Sequence, residues 1–99
     1  MSKTVNQETH AETILRAVAA LGREKGKPTF ARRDIREQIG ISYKEWMSGF
    51  TAIFQAMRTD HPGGAPHIGD KYRNVFKRIA RGNYTLTDYG KSVVSGIDI

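Results

Sequence analysis

The sequence predicts one α+β domain, mainly α. Three observations predict it. Apolar residues recur at three- and four-residue intervals before residue 58, and after residue 70 they alternate across a glycine turn. A chain of 99 residues is long enough for one modest core and too short for two.

Composition bounds the partners. With 38% hydrophobic and 26% charged residues the chain falls in the globular range, and the absence of cysteine excludes disulfides and thiolate metal sites. No segment approaches the ~18 consecutive apolar residues of a membrane span, and MSKTVNQETH has no apolar run that would make a secretion signal. A cytoplasmic, nucleoid-associated location is the simplest fit. The net charge of +6 and pI near 9.9 favour polyanions, nucleic acid first and an anionic membrane surface second.

In chain order, residues 1–7 read as a flexible tail, 8–95 as the domain and 96–99 as a second tail. A first helix is expected from Glu8 or Thr9, with Ala11, Ile14, Leu15, Val18 and Leu21 on one face, stopped by Gly22, Gly26 and Pro28. Residues 28–30 (PTF) suffice only for an edge strand or a linker. ARRDIREQIG reads as a second helix, with Ile35 and Ile39 inward and Gly40 as its C-terminal stop. Ser42 followed by Glu45 has the spacing of a capping box and starts a third helix. Its apolar stripe is Trp46, Phe50, Ile53, Phe54 and Met57; Lys44, Ser48, Thr51, Ala52 and Gln55 lie opposite, with Arg58 at the end.

DHPGGAPHIGD, residues 60–70, reads as a loop. The run 72–80 then alternates, with Val75 and Ile79 on one face and Phe76, Arg78 and Ala80 on the other. ARGN turns the chain, residues 84–86 return as a strand, and Thr87 caps a short helix containing Val93, Val94 and Ile97.

Residues 32–50, RRDIREQIGISYKEWMSGF, resemble a helix-turn-helix unit. Counting from Arg32, apolar residues stand at the fourth, eighth, tenth and fifteenth places (Ile35, Ile39, Ile41, Trp46), with Gly40 ninth. Two steeply crossing helices need apolar side chains there and a residue tolerant of positive φ in the turn. The fifth place, where the helices of such a unit touch, is Arg36 rather than a small residue; this predicts a wider crossing or a shifted register. Tyr84, Leu86, Thr87 and Gly90 form YxLTxxG, similar to the hairpin-to-helix junction of MarR-type and PadR-type regulators and of small winged modules in restriction and defence proteins. Together these resemblances imply a winged helix-turn-helix: a three-helix core plus a β-hairpin wing and a short C-terminal helix.

The resemblance implies double-stranded DNA as partner and transcriptional regulation as role. Base readers would come from the third helix, as Lys44, Ser48, Thr51 and Gln55, with Tyr43 near the backbone. Phosphate or minor-groove contacts would come from Arg32, Arg33, Arg58, Lys71, Arg73, Lys77, Arg78 and Arg81. Each has a plainer reading. Arg32 and Arg33 can pair with Asp34 or Glu37 on a solvated face, and Trp46, Phe50 and Phe54 have the spacing of core. Tyr72 and Tyr84 are expected to pack under the hairpin.

The histidines, His10, His61 and His67, are too scattered to predict a metal site, and no cofactor is expected. GREKGKP lacks the spacing and the final Ser or Thr of a phosphate-binding loop, and no nucleophile–base–acid set has a supporting context, so an enzyme is not expected. Two other readings stand beside a DNA-binding regulator: a protein-interaction module of the same architecture, and a nucleoid-associated or RNA-binding protein with little sequence preference. A homodimer through the N- and C-terminal helices would suit a repressor.

Overall fold

The computed structural model describes residues 3–26, 28–59, 68 and 70–96. It is a mostly helical α+β domain with one small antiparallel sheet. The elements run α1 (Lys3–Lys25), β1 (Thr29–Phe30), α2 (Arg32–Ile39), α3 (Tyr43–Gly49), α4 (Thr51–Ala56), a single 3-10 turn (Asp70–Tyr72), β2 (Phe76–Ala80), β3 (Asn83–Leu86) and α5 (Asp88–Gly96). The strand order is β1-β3-β2, so the two-residue β1 does form an edge strand.

The boundaries follow from local chemistry. Helix α1 reaches back to Lys3 rather than starting near Glu8, because residues 3–8 contain neither glycine nor proline to stop it. Helix α2 ends at Gly40, whose φ of 87° places it in the left-handed region that favours glycine, and the Gly40 amide bonds the Arg36 carbonyl at 2.9 Å. Ser42 and Glu45 form the expected capping box: the Glu45 amide donates to Ser42 Oγ at 3.1 Å and the Ser42 amide to Glu45 Oε1 at 3.3 Å.

The third helix is not continuous. Phe50, at φ −121° and ψ −26°, breaks it into α3 and α4. Ser48, Gly49 and Thr51 are weak helix formers, and the Thr51 hydroxyl bonds the Trp46 carbonyl at 3.3 Å, a local alternative to the helical ladder.

The core joins helices to sheet. Phe54, fully buried, has ring centroids 6.2 Å from Trp46, 5.2 Å from Phe76 and 5.1 Å from Tyr84, while Phe30 meets Phe76 edge-on at 5.5 Å. Ile14, Leu15, Leu21 and Ile35 close it from α1 and α2. Phe50, expected in the buried stripe, is only half-buried, stacked on Trp46 and tilted against His10 at 4.4 Å. Tyr72 and Tyr84 are buried, as their packing role predicts.

The hairpin departs from simple alternation. Val75 and Phe76 are both fully buried, whereas Ile79, expected to share the face of Val75, is 47% exposed. Val75 precedes β2, and within the strand Phe76 takes the core face opposite Leu86, so Lys77 and Ile79 fall on the outer face; a bulge, with Arg78 paired to Tyr84 and Ala80 to Asn83, also leaves Ile79 without a cross-strand partner. The start of β2 is tied to the end of α4, with the Val75 and Phe76 amides both donating to the Met57 carbonyl. Thr87 caps α5 as expected, its Oγ1 accepting from the Gly90 amide at 2.8 Å and donating to the Asn74 carbonyl at 2.7 Å. Val93 and Val94 are half-buried against the core. His61, His67, the rest of residues 60–67, residue 69 and Ile97 lie outside the described residues, while Ile68 of the same loop is fully buried.

Candidate nucleic-acid interface

Residues 71–87 hold five cations, Lys71, Arg73, Lys77, Arg78 and Arg81, and no acid. The fold puts Lys77, Arg78 and Arg81 on the exposed hairpin, whose tip turns at Gly82. Among the described residues no carboxylate pairs with any of these three. Lys71 is exposed with its ammonium 5.0 Å from the Tyr72 ring centre, and Arg73 is half-buried. A plainer role for the hairpin charges exists: β2 is an edge strand, and lysines, arginines and bulges keep such edges from pairing with other chains.

A second basic group is built on α2. Arg33 is exposed and makes only a loose 3.9 Å pair with Glu37. Arg32 turns inward, its guanidinium carbon 5.5 Å from the Phe54 ring centre and 5.9 Å from that of Tyr84. Its Nε is buried without a hydrogen-bond acceptor. Because Arg78 is the cross-strand partner of Tyr84, the start of α2 and the hairpin converge on one tyrosine.

Arg58 does not belong with the surface cations. It is 9% exposed, with its guanidinium carbon 5.0 Å from the Tyr84 ring centre, and its backbone bridges Phe76. The chain bends into the sheet there, drawing the side chain under the hairpin. The sequence places Arg58 at a helix end, where a basic residue ordinarily faces solvent.

The break at Phe50 divides the expected base readers. Lys44 and Ser48 are exposed on α3, as is Tyr43 at 66%, whereas Thr51 and Gln55 belong to α4 and are half-buried. Thr51 is also occupied, its hydroxyl lying 3.3 Å from both the Trp46 carbonyl and Met47 Sδ. Ser48 Oγ donates back to the Glu45 carbonyl at 3.3 Å and retains its lone pairs as acceptors. Met47, absent from the expected set, is 49% exposed on the same short helix. Its position one residue after Trp46 turns it away from the core, a signal present in the helical period.

Between α2 and α3 lies a cleft of about 320 Å³, lined by Arg32, Arg33 and Arg36 on one side and Tyr43, Trp46 and Met47 on the other.

The chain matches no family model, no curated protein and no solved structure. The site therefore rests on its own chemistry. Among the described residues no cluster of three or more His, Cys, Asp or Glu side chains is placed to hold a metal ion, and no helix is long and apolar enough to cross a membrane.

Proposed function

We propose that the protein binds double-stranded DNA as a winged helix-turn-helix transcriptional regulator and is not an enzyme. The observation that carries this reading is the exposed, acid-free hairpin bearing Lys77, Arg78 and Arg81. In this reading α2 and α3 form the helix-turn-helix, and α3 enters the major groove with Tyr43, Lys44 and Ser48 leading. The hairpin lies alongside as the wing, its cations on phosphates or in a narrow minor groove. The α2 arginines contact the flanking backbone. A homodimer through α1 and α5 belongs to the same proposal, supported by the groove of about 280 Å³ that Val18, Phe30, Leu86 and Val94 help to line. Sedimentation velocity measures it.

Fluorescence anisotropy of labelled duplex, titrated at low and high salt, tests the central claim. Affinity should fall steeply as salt rises, because each neutralised phosphate releases counterion. No duplex binding, or binding indifferent to salt, refutes it. Random duplex, single-stranded DNA and RNA in the same titration decide between a sequence-reading regulator and an architectural or RNA-binding protein.

One observation favours the protein-interaction reading. Tyr43 and Met47 are exposed beside the α2–α3 cleft, and amphipathic side chains of this kind are enriched at interfaces. Under that reading, neutralising Arg78 and Arg81 leaves duplex affinity unchanged.

A further inference from the structure

The exposed large apolar side chains among the described residues are Tyr43, Met47, Ile79 and Tyr89. Tyr89 is tethered through its hydroxyl to the Lys71 carbonyl at 2.9 Å, and Tyr43 and Met47 flank the cleft beside α2. Ile79 is different. It is carried by the basic hairpin, between Arg78 and Ala80, and is 47% exposed.

Its exposure follows from the strand, in which Phe76 faces the core and Lys77 and Ile79 face outward, and the ladder leaves it unpaired. Arg78 faces Tyr84 and Ala80 faces Asn83, so neighbours on β3 meet residues two apart on β2, and Ile79 has no cross-strand partner. Bulges of this kind re-aim a side chain and bend the strand. The paired residues on either side hold the backbone, the chain reverses at Arg81 and Gly82, and a β-branched side chain has few rotamers to lose on being buried. The result is a stiff apolar projection among Lys77, Arg78 and Arg81.

We propose that Ile79 is a wedge that the hairpin drives between two base pairs from the minor groove of duplex DNA, unstacking and kinking the step. The inference rests on the duplex-binding reading above. Charge complementarity selects the partner: residues 71–87 are acid-free, so phosphates on both sides of the groove meet cations while the Ile79 side chain meets base faces. Strands can lie in either groove, and it is from the minor groove that apolar side chains wedge between base steps. Apolar residues inserted in this way unstack the step and bend the helix toward the major groove. Pyrimidine–purine steps are the easiest to open, so TA and CA steps are the favoured sites and stiff A-tracts the disfavoured ones.

The test uses the full chain and a duplex of about 25 base pairs. It carries donor and acceptor dyes at its ends and 2-aminopurine next to a central TA step. The wild-type protein should raise energy transfer and brighten the 2-aminopurine, and should prefer the TA duplex to an A-tract duplex by about tenfold. Ile79→Ala should abolish both optical changes and the preference while still binding the A-tract duplex with wild-type salt dependence. Ile79→Leu should restore them. Circular dichroism and thermal melting confirm that each variant is folded, as expected for a substitution at an exposed position. Duplex bound without bending or brightening, or Ile79→Ala behaving as wild type, overturns the wedge and leaves duplex binding standing. No duplex binding by the wild type overturns both.

Discussion

Gly90 is closed by Val75: the place where a Cβ would stand at position 90 is taken by the Val75 carbonyl oxygen, with its carbonyl carbon and Leu86 Cδ2 close behind. The same carbonyl accepts the Thr87 amide at 2.9 Å, so it is held by the start of α5 and cannot easily retreat. This contact locks the last helix to the segment that enters the hairpin.

Gly90→Ala should therefore destabilise the protein by about 1–3 kcal/mol, the usual effect of forcing extra volume into a packed site. Gly22 supplies the control. It lies in the exposed part of α1 with nothing within 4 Å of an added Cβ. Gly22→Ala should stabilise by roughly 0.5–1 kcal/mol through helix propensity. Urea denaturation of the two variants should give shifts of opposite sign.

Thr87 holds the same junction by hydrogen bonds. Its hydroxyl accepts from the Gly90 amide and donates to the Asn74 carbonyl. Thr87→Ala removes the cap and should cost about 1–2 kcal/mol, whereas Thr87→Ser keeps the hydroxyl and should cost less. The difference in urea midpoint between them measures the hydroxyl.

Arg58 and Arg81 should separate cleanly. Arg58 is buried over Tyr84, and Arg58→Ala should lower the melting temperature through lost packing and cation–π contact. The fraction of Arg58→Ala that is folded should retain the salt dependence of duplex binding. Arg81 is exposed at the hairpin tip, and Arg81→Ala should leave the melting temperature unchanged while reducing the salt slope of duplex binding by about one. A melting curve and a salt series on each variant check both claims.

Arg32 presents the reverse balance. Its Nε is buried with no acceptor, so replacing it by a long apolar residue removes that desolvation cost and keeps the packing on Phe54 and Tyr84, offsetting the lost cation–π contact. Arg32→Met should leave stability unchanged or raise it, yet weaken duplex binding if the guanidinium takes a phosphate as its missing partner. Thermal melting and anisotropy on the same preparation give the two readouts.

Much of the fold is legible along the chain because it depends on local chemistry. The Ser42–Glu45 box, the Gly40 stop, the Thr87 cap and the hairpin turn each need only a few neighbouring residues, and all four form where the residues predict. The break at Phe50 is not in the sequence reading, which carries the third helix through it, although weak helix formers surround it. The apolar stripe through Trp46, Phe54 and Met57 masked it, because buried contacts on both sides of the break preserve the helical period.

Sequence by itself determined a basic, mainly helical α+β chain, its caps and turns, and an acid-free run of cations from residue 71 to 87. These are properties of composition and of spacing within a few residues. Only the tertiary structure decided which cations reach solvent: Arg58 and Arg32 turn onto the Tyr84 ring, while Lys77, Arg78 and Arg81 remain outside. It also decided that Ile79 leaves the core face and that Gly90 must be bare. The arginines and the glycine depend on partners distant in sequence, Tyr84 and the Val75 carbonyl, and the outward face of Ile79 depends on which face of β2 packs on the core. Spacing along a chain cannot encode where such a partner will stand; packing has to place it.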